Sequence, residues 1–133
     1  MILKINRQSD DFYKIMGRYF ADRSFIKEMD CQLYDNGALW YLAYDGNTLC
    51  GFVSAEYKGK YVWIDNFYVF DEYRRQGYGT ALIRRVLIDN PVCKCITRNE
   101  YAKRIFEKYG FVETGKNGRY SKLAYDTESD DNT

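Results

Sequence analysis

The sequence predicts a single α/β (α+β) domain, and three observations carry that reading. Strand-like alternating runs and helix-period runs interleave from end to end, the pattern of one sheet with helices packed on its faces. The 133 residues suffice for one domain and are too few for two ordinary ones. Hydrophobic residues make up 46% of the chain and aromatics 18%, enough to fill a core. No repeat, linker or low-complexity block divides it. Residues 1–126 are read as the domain, and the acidic end at 127–133 as a disordered, solvated tail.

The elements follow in order. Residues 1–6 alternate weakly as a first strand. Phe12, Ile15, Met16, Tyr19 and Phe20 recur at helical spacing within 10–20, with Ser9 and Asp10 as caps. A short second helix is read over 24–31. Runs 39–44 and 48–57 flank Asp45-Gly46-Asn47, a hairpin signal. After a turn at 57–60, residues 61–70 are apolar on nearly both faces, as a central strand covered on both sides requires; Asp65 and Asn66 are the exceptions. The helix from Gly77 sets Leu82, Ile83, Val86 and Leu87 on one face and stops before Pro91. A strand follows at 92–97. Asn99 then caps a helix bearing Ala102, Ile105, Phe106 and Tyr109, ended by Gly110. Strands at 111–114 and 119–125 surround a turn at 115–118.

Composition narrows the chemistry. The net charge of +1 speaks against nucleic acid as the main partner, and without the acidic end the folded part is mildly basic, which a polyanionic small ligand also explains. The chain has no histidine, so Ser-His-Asp triads, Cys-His pairs and His-metal catalysis are excluded. Its four cysteines (Cys31, Cys50, Cys93, Cys95) form no C-x-x-C pair. Cys93 and Cys95 read as small core residues, and no metal is expected. No apolar run reaches the roughly 20 residues of a membrane span, and no signal-peptide layout opens the chain. A cytoplasmic protein is the simplest reading.

The most specific signal is the run Val69-Phe70-Asp71-Glu72-Tyr73-Arg74-Arg75-Gln76-Gly77-Tyr78-Gly79-Thr80. It reads as a buried strand, a basic turn with two close glycines, and a helix start. The first N–H groups of a helix are unpaired and carry the positive end of its dipole, and glycine lets an anion approach the backbone. Neither of two familiar phosphate motifs fits. A P-loop needs Gly-Lys-Ser/Thr after a four-residue gap. A dinucleotide fingerprint needs a third glycine where Leu82 stands, and an acid about 20 residues on, where Asn99 stands.

The run instead resembles the cofactor motif of the GNAT superfamily of N-acetyltransferases, Arg/Gln-x-x-Gly-x-Gly/Ala, with Asp71 where proline is common. Residues 99–111, from Asn99 through Glu107-Lys108 to Gly110-Phe111, resemble that family's second motif. The order of elements fits as well. The resemblance implies a central mixed sheet of six to seven strands, flanked by about four helices, with splayed central strands. It implies acetyl-CoA in the splay as acyl donor. The backbone of Phe67, Tyr68 and Val69 would pair with the pantetheine arm; Arg74, Arg75, Gln76, Gly77, Tyr78, Gly79 and Thr80 would wrap the pyrophosphate. Asn99 and Phe106 would meet the arm from the second motif, although plain N-capping also explains Asn99.

The family's reaction is direct attack of an amine on the thioester. Asp65 is the candidate base: Tyr61, Trp63, Phe67 and Val69 would share its face, and an apolar setting favours proton uptake by a carboxylate. Its position resembles that of a glutamate in polyamine and small-amine acetyltransferases; Glu56 is a second choice. The tyrosine that commonly protonates the thiolate is replaced by Phe106. Tyr109, one turn later, is the substitute candidate, with Tyr68, Tyr78 and water as others. The rival reading is a non-catalytic acyl-CoA-binding or interaction module; a third is acetylation of aminoacyl-tRNA. The acceptor is expected to be a primary amine chosen by residues 21–35 and 39–57, whose Asp22, Glu28, Asp30, Asp35 and Glu56 hint at a cation. The family commonly forms homodimers.

Overall fold

The computed structural model of the protein describes residues 1–29, 33, 35 and 37–127. In chain order these form β1 (Ile2–Ile5), α1 (Phe12–Ala21), α2 (Arg23–Met29), β2 (Leu39–Asp45), β3 (Thr48–Tyr57) and β4 (Val62–Val69). A 3-10 turn at Asp71–Tyr73 leads to α3 (Tyr78–Asp89), β5 (Val92–Thr97), α4 (Glu100–Lys108), β6 (Val112–Asn117) and β7 (Tyr120–Asp126). The strands build one sheet in the order β1-β2-β3-β4-β5-β7-β6. Every neighbouring pair is antiparallel except β4 and β5, which run parallel at the centre. This mixed sheet with helices on its faces is the α/β fold the sequence predicts.

Alternation along β2 explains the two layers. Trp40 and Leu42 point into an aromatic cluster with Phe12, Met16, Phe25, Phe52 and Tyr68, under α1 and α2. Tyr41 and Ala43 point to the opposite face, where Leu82, Ile83 and Val86 of α3 and Ala102, Ile105 and Phe106 of α4 pack. Burying each such Leu, Ile or Phe is worth about 1.5–3 kcal/mol, so truncating Leu82 to alanine would cost about 2–5 kcal/mol. Cys93 and Cys95 are buried in this second layer, as small core residues. Burial pushes both thiols above their ordinary range, Cys93 to about 12.

Several boundaries differ from the sequence reading. Helix α1 takes Asp11 as its N-cap without a side-chain bond, while Ser9 accepts from the Asn6 N–H. Asp22 Oδ1 accepts from the Phe25 N–H and so opens α2. The read end of α2 at residue 31, like Cys31, lies outside the described residues. Strand β6 runs past Gly115, which sits at a register shift rather than in a turn; glycine inside a strand commonly marks such a bulge. The turn is instead tight, at Gly118 with φ +62. Thr127 donates its N–H to the Pro91 carbonyl at 3.1 Å, so the start of the expected tail is tied down; the rest of it lies outside the described residues. No helix among the described residues is long and apolar enough to cross a membrane.

Candidate active site

The centre of the sheet is open by construction. Strands β4 and β5 pair only at Val62–Cys93 and Trp63–Lys94. Beyond those two positions β4 stays with β3 and β5 with β7, so a wedge opens toward the C-terminal ends of both strands. Helices α3 and α4 follow those two ends, which places both helix N-termini at the wide side. Open α/β sheets bind ligands at such a place.

The turn before α3 has the backbone of an anion cradle. Arg75 takes φ +63 and Gly77 φ +93. Left-handed residues between ordinary ones turn successive N–H groups to one side. Gly77 is the N-cap and offers no side-chain cap, and no acid lies in the first turn. A Cβ added at Gly77 would meet nothing within 4 Å, so the approach is clear. These features fit a bound pyrophosphate.

The second glycine does different work. Gly79 is buried, and a Cβ there would lie 2.9 Å from Tyr101 Oη, 3.0 Å from Ile105 Cδ1 and 3.2 Å from Phe67 Cζ. It lets α4 and β4 close against α3, a packing role that the sequence reading did not give it.

Arg74 is fixed within the fold. Its Nε donates to the Val69 carbonyl at 2.9 Å, and its guanidinium pairs with Asp71, the residue standing where the family motif often has proline. It also lies over the rings of Tyr68 and Tyr101, at 5.2 and 5.8 Å. Arg75 and Gln76 are exposed, and Gln76 Nε2 donates to the Glu72 carbonyl. Tyr101 is a residue that sequence reasoning missed. Its signal was available, since it stands in the first turn of the second motif, four residues before buried Ile105. Burial raises its phenol above the ordinary range, and the Arg74 charge opposes that shift.

The other expected residues separate into two groups. Phe67 and Phe106 meet with ring centroids 5.7 Å apart, Phe106 being buried against Phe111 as well. Both belong to the α3/α4 layer. Asn99 caps α4, its Oδ1 accepting from the Ala102 N–H at 3.1 Å. The rest lie apart. Tyr68 is buried in the aromatic layer, 5.0 Å from Phe25. Tyr78 packs edge-on against Tyr73; burial, then the charges of Asp45 and Cys50, raise its phenol. Tyr109 caps the far end of α4. With Arg84, Leu87, Ile88 and Tyr125 it lines a pocket of about 310 Å³ beside the C-terminal half of α3. Roughly 12 Å of helix separates that pocket from the glycine turn, so Tyr109 is not brought to the wedge.

Asp65 needs a correction of face. Val62 and Ile64 belong to the α3/α4 layer, but so do Phe67 and Val69, while Tyr68 belongs to the α1/α2 layer. Between them β4 has one residue more than β3, because Ser54 pairs with Asp65 and Phe52 with Tyr68. The bulge reverses the alternation. Asp65 therefore shares a face with Ser54 and Trp63, not with Phe67 and Val69. It lies half-buried on the α1/α2 side, its Oδ1 accepting from the Asn66 N–H at 2.8 Å. Of the acids expected to greet a cation, Glu56 pairs with Lys58 at 2.8 Å and Asp35 accepts from the Gly37 N–H. The Glu28 side chain and Asp30 lie outside the described residues. Among those residues no cluster of acids or cysteines could hold a metal ion.

A sheet wedged open between parallel strands, with an uncapped basic glycine turn at its mouth, defines a class: an α/β protein built to take an extended anionic ligand. The family within that class follows from comparison. Residues 36–113 match the acetyltransferase (GNAT) domain model, over more than half of the chain, and the protein belongs to that family. No curated protein sequence matches the chain. Among solved structures it is similar to ElaA of Escherichia coli, at 12% identity and TM-score 0.73 over 95% of this chain and 99% of that one. It is also similar to a GNAT family acetyltransferase of Elizabethkingia anophelis with acetyl-CoA bound, at 17% identity and TM-score 0.65 over 95% and 97%. PH1933 of Pyrococcus horikoshii is 22% identical with TM-score 0.59; 67% of this chain matches, spanning 65% of that one. At these identities the likeness is one of fold.

Proposed function

We propose that the protein is an N-acetyltransferase that moves the acetyl group of acetyl-CoA to a primary amine by direct attack in a ternary complex. The observation that carries this reading is the uncapped Gly77 turn opening onto the wedge between β4 and β5. The acetyl-CoA bound to the Elizabethkingia anophelis relative supports the choice of donor. Arg75 to Thr80 would hold the pyrophosphate through backbone N–H groups, and Arg74 would fix the turn from beneath. The β4 backbone from Phe67 to Val69 would accompany the pantetheine arm, with Phe106 behind it.

The amine approaches from the α1/α2 face and gives its proton to Asp65, directly or through water. Nitrogen then bonds to the acetyl carbon as the carbon–sulfur bond breaks. A backbone N–H of the splayed part of β4, beyond Asn66, polarises the thioester oxygen. The leaving thiolate takes, through water, the proton that the nitrogen sheds on becoming an amide, because Phe106 has none to give and Tyr109 stands at the far end of α3.

Purified protein mixed with acetyl-CoA and a panel of primary amines tests this. Thiol release well above the amine-free blank is expected with at least one amine. A second reading, a non-catalytic acyl-CoA-binding or interaction module, is favoured by one observation: the position that commonly carries the acid is a buried phenylalanine, Phe106. Acetyl-CoA binding without thiol release for any amine would favour that module.

A further inference from the structure

Where β4 parts from β5, Asp65 stands beside two buried polar side chains to which the reaction above gives no part. Asn66 and Phe67 of β4 together face the single residue Val53 of β3. Asn66 holds φ +52, the left-handed region that the first position of such a bulge takes and that glycine usually fills. Its side chain gives a reason for asparagine instead. Nδ2 donates to Ser54 Oγ at 2.8 Å, and Ser54 Oγ donates to the Asp65 carbonyl at 3.1 Å. The Asn66 N–H in turn donates to Asp65 Oδ1. Ser54 is 2% exposed and Asn66 4%. Two polar side chains this deep keep one geometry, because breaking their bond leaves a desolvated donor.

We propose that Asn66 and Ser54 are positioning residues for Asp65: the pair fixes the β4 bulge, turns Asp65 onto the α1/α2 face, and holds its carboxylate through the Asn66 amide. The proposal rests on the acetyl-transfer reading, in which Asp65 takes the proton. Neither Asn66 nor Ser54 touches the reacting atoms in it. The bulge is what separates the two sides of the reaction, with Phe67 and Val69 toward α3 and α4 and Asp65 toward the opposite face.

The test compares wild type, Ser54→Ala and Asn66→Gly, the latter keeping the left-handed backbone while losing the side chain. Three quantities are read: acetyl-CoA affinity by calorimetry, kcat at saturating amine, and the Asn66 and Phe67 (in Asn66→Gly, residue 66 and Phe67) backbone amide resonances. Ser54→Ala and Asn66→Gly are each expected to lower kcat about tenfold, with acetyl-CoA affinity unchanged within about twofold. In Ser54→Ala the two amide resonances are expected to move. Unchanged kcat in both variants overturns the proposal, as does a loss of acetyl-CoA affinity in step with kcat. A wild type inactive toward every amine sinks the acetyl-transfer reading instead, and the resonances still decide whether the pair sets the bulge. Resonances that stay fixed in Ser54→Ala overturn it on their own.

Discussion

Two helices begin at the same mouth and treat their N-termini in opposite ways. At α4 the cap is Asn99, extended at φ −91, with its side chain on the Ala102 N–H and Glu100 in the first turn. The positive end of that helix is answered from within the chain. At α3 the cap is Gly77, left-handed, with no side-chain bond and no acid in the first turn. That end is left for a charge from outside. Both follow parallel strands, so the contrast comes from the cap residues and the first-turn acid. A helix start becomes a binding feature when the sequence withholds the cap.

The largest expected effect comes from making α3 resemble α4. Gly77→Asp places a carboxylate where the pyrophosphate would lie, at a φ of +93 that strains any side chain. Acetyl-CoA affinity measured by calorimetry should fall about a hundredfold, while the strained backbone costs about 1–3 kcal/mol in urea unfolding. Unchanged affinity would break the comparison. Next, Gly79→Val forces side-chain bulk against Ile105 and Phe67 and should cost about 1–3 kcal/mol in urea unfolding. A neutral result would deny that α3, α4 and β4 close at that glycine.

Asn99→Ala sharpens the other side. Loss of the cap should cost about 1 kcal/mol, with acetyl-CoA affinity kept within about threefold. An affinity loss without a stability loss would assign Asn99 to the ligand. The smallest effect concerns the opposite end of α3. Burial works against the Asp89 charge, but hydrogen bonds from Tyr41 Oη at 2.8 Å and Lys4 Nζ at 3.2 Å, with the charges of Lys4 and Arg85, outweigh it and lower its pKa. A carboxyl lowered on folding stabilises above its unfolded pKa of about 3.9 and loses that contribution as pH falls below it. Unfolding followed from pH 6 to pH 2 should therefore show a steeper acid loss for wild type than for Asp89→Asn.

Much of this was legible in the chain because it is written in local signals. The Asp45-Gly46-Asn47 hairpin, the Asn99 cap and the glycine turn each depend on a few neighbouring residues, and each stands where the sequence put it. What failed depends on a single inserted residue. Alternation counted straight through β4 places Asp65 with Phe67 and Val69, and one bulge at Asn66 reverses the second half. Nothing in an apolar run marks such a residue except an asparagine, whose tolerance of positive φ was the available hint. Gly115 was misread for a similar reason, a strand bulge taken for a turn. Tyr109 and Tyr101 differ in another way. Helical spacing gave Tyr109 a place on α4 and passed over Tyr101, because which end of that helix reaches the wedge is set by how α3 and α4 pack.

The central claim is that the Gly77 turn holds a pyrophosphate. Calorimetric titration of the intact protein with coenzyme A and with pantetheine, which lacks the pyrophosphate and nucleotide, tests it most directly. Coenzyme A should bind at least about a hundredfold more tightly, a difference of about 2.8 kcal/mol, and Gly77→Asp should erase most of that difference. Equal affinity for the two ligands would contradict the account.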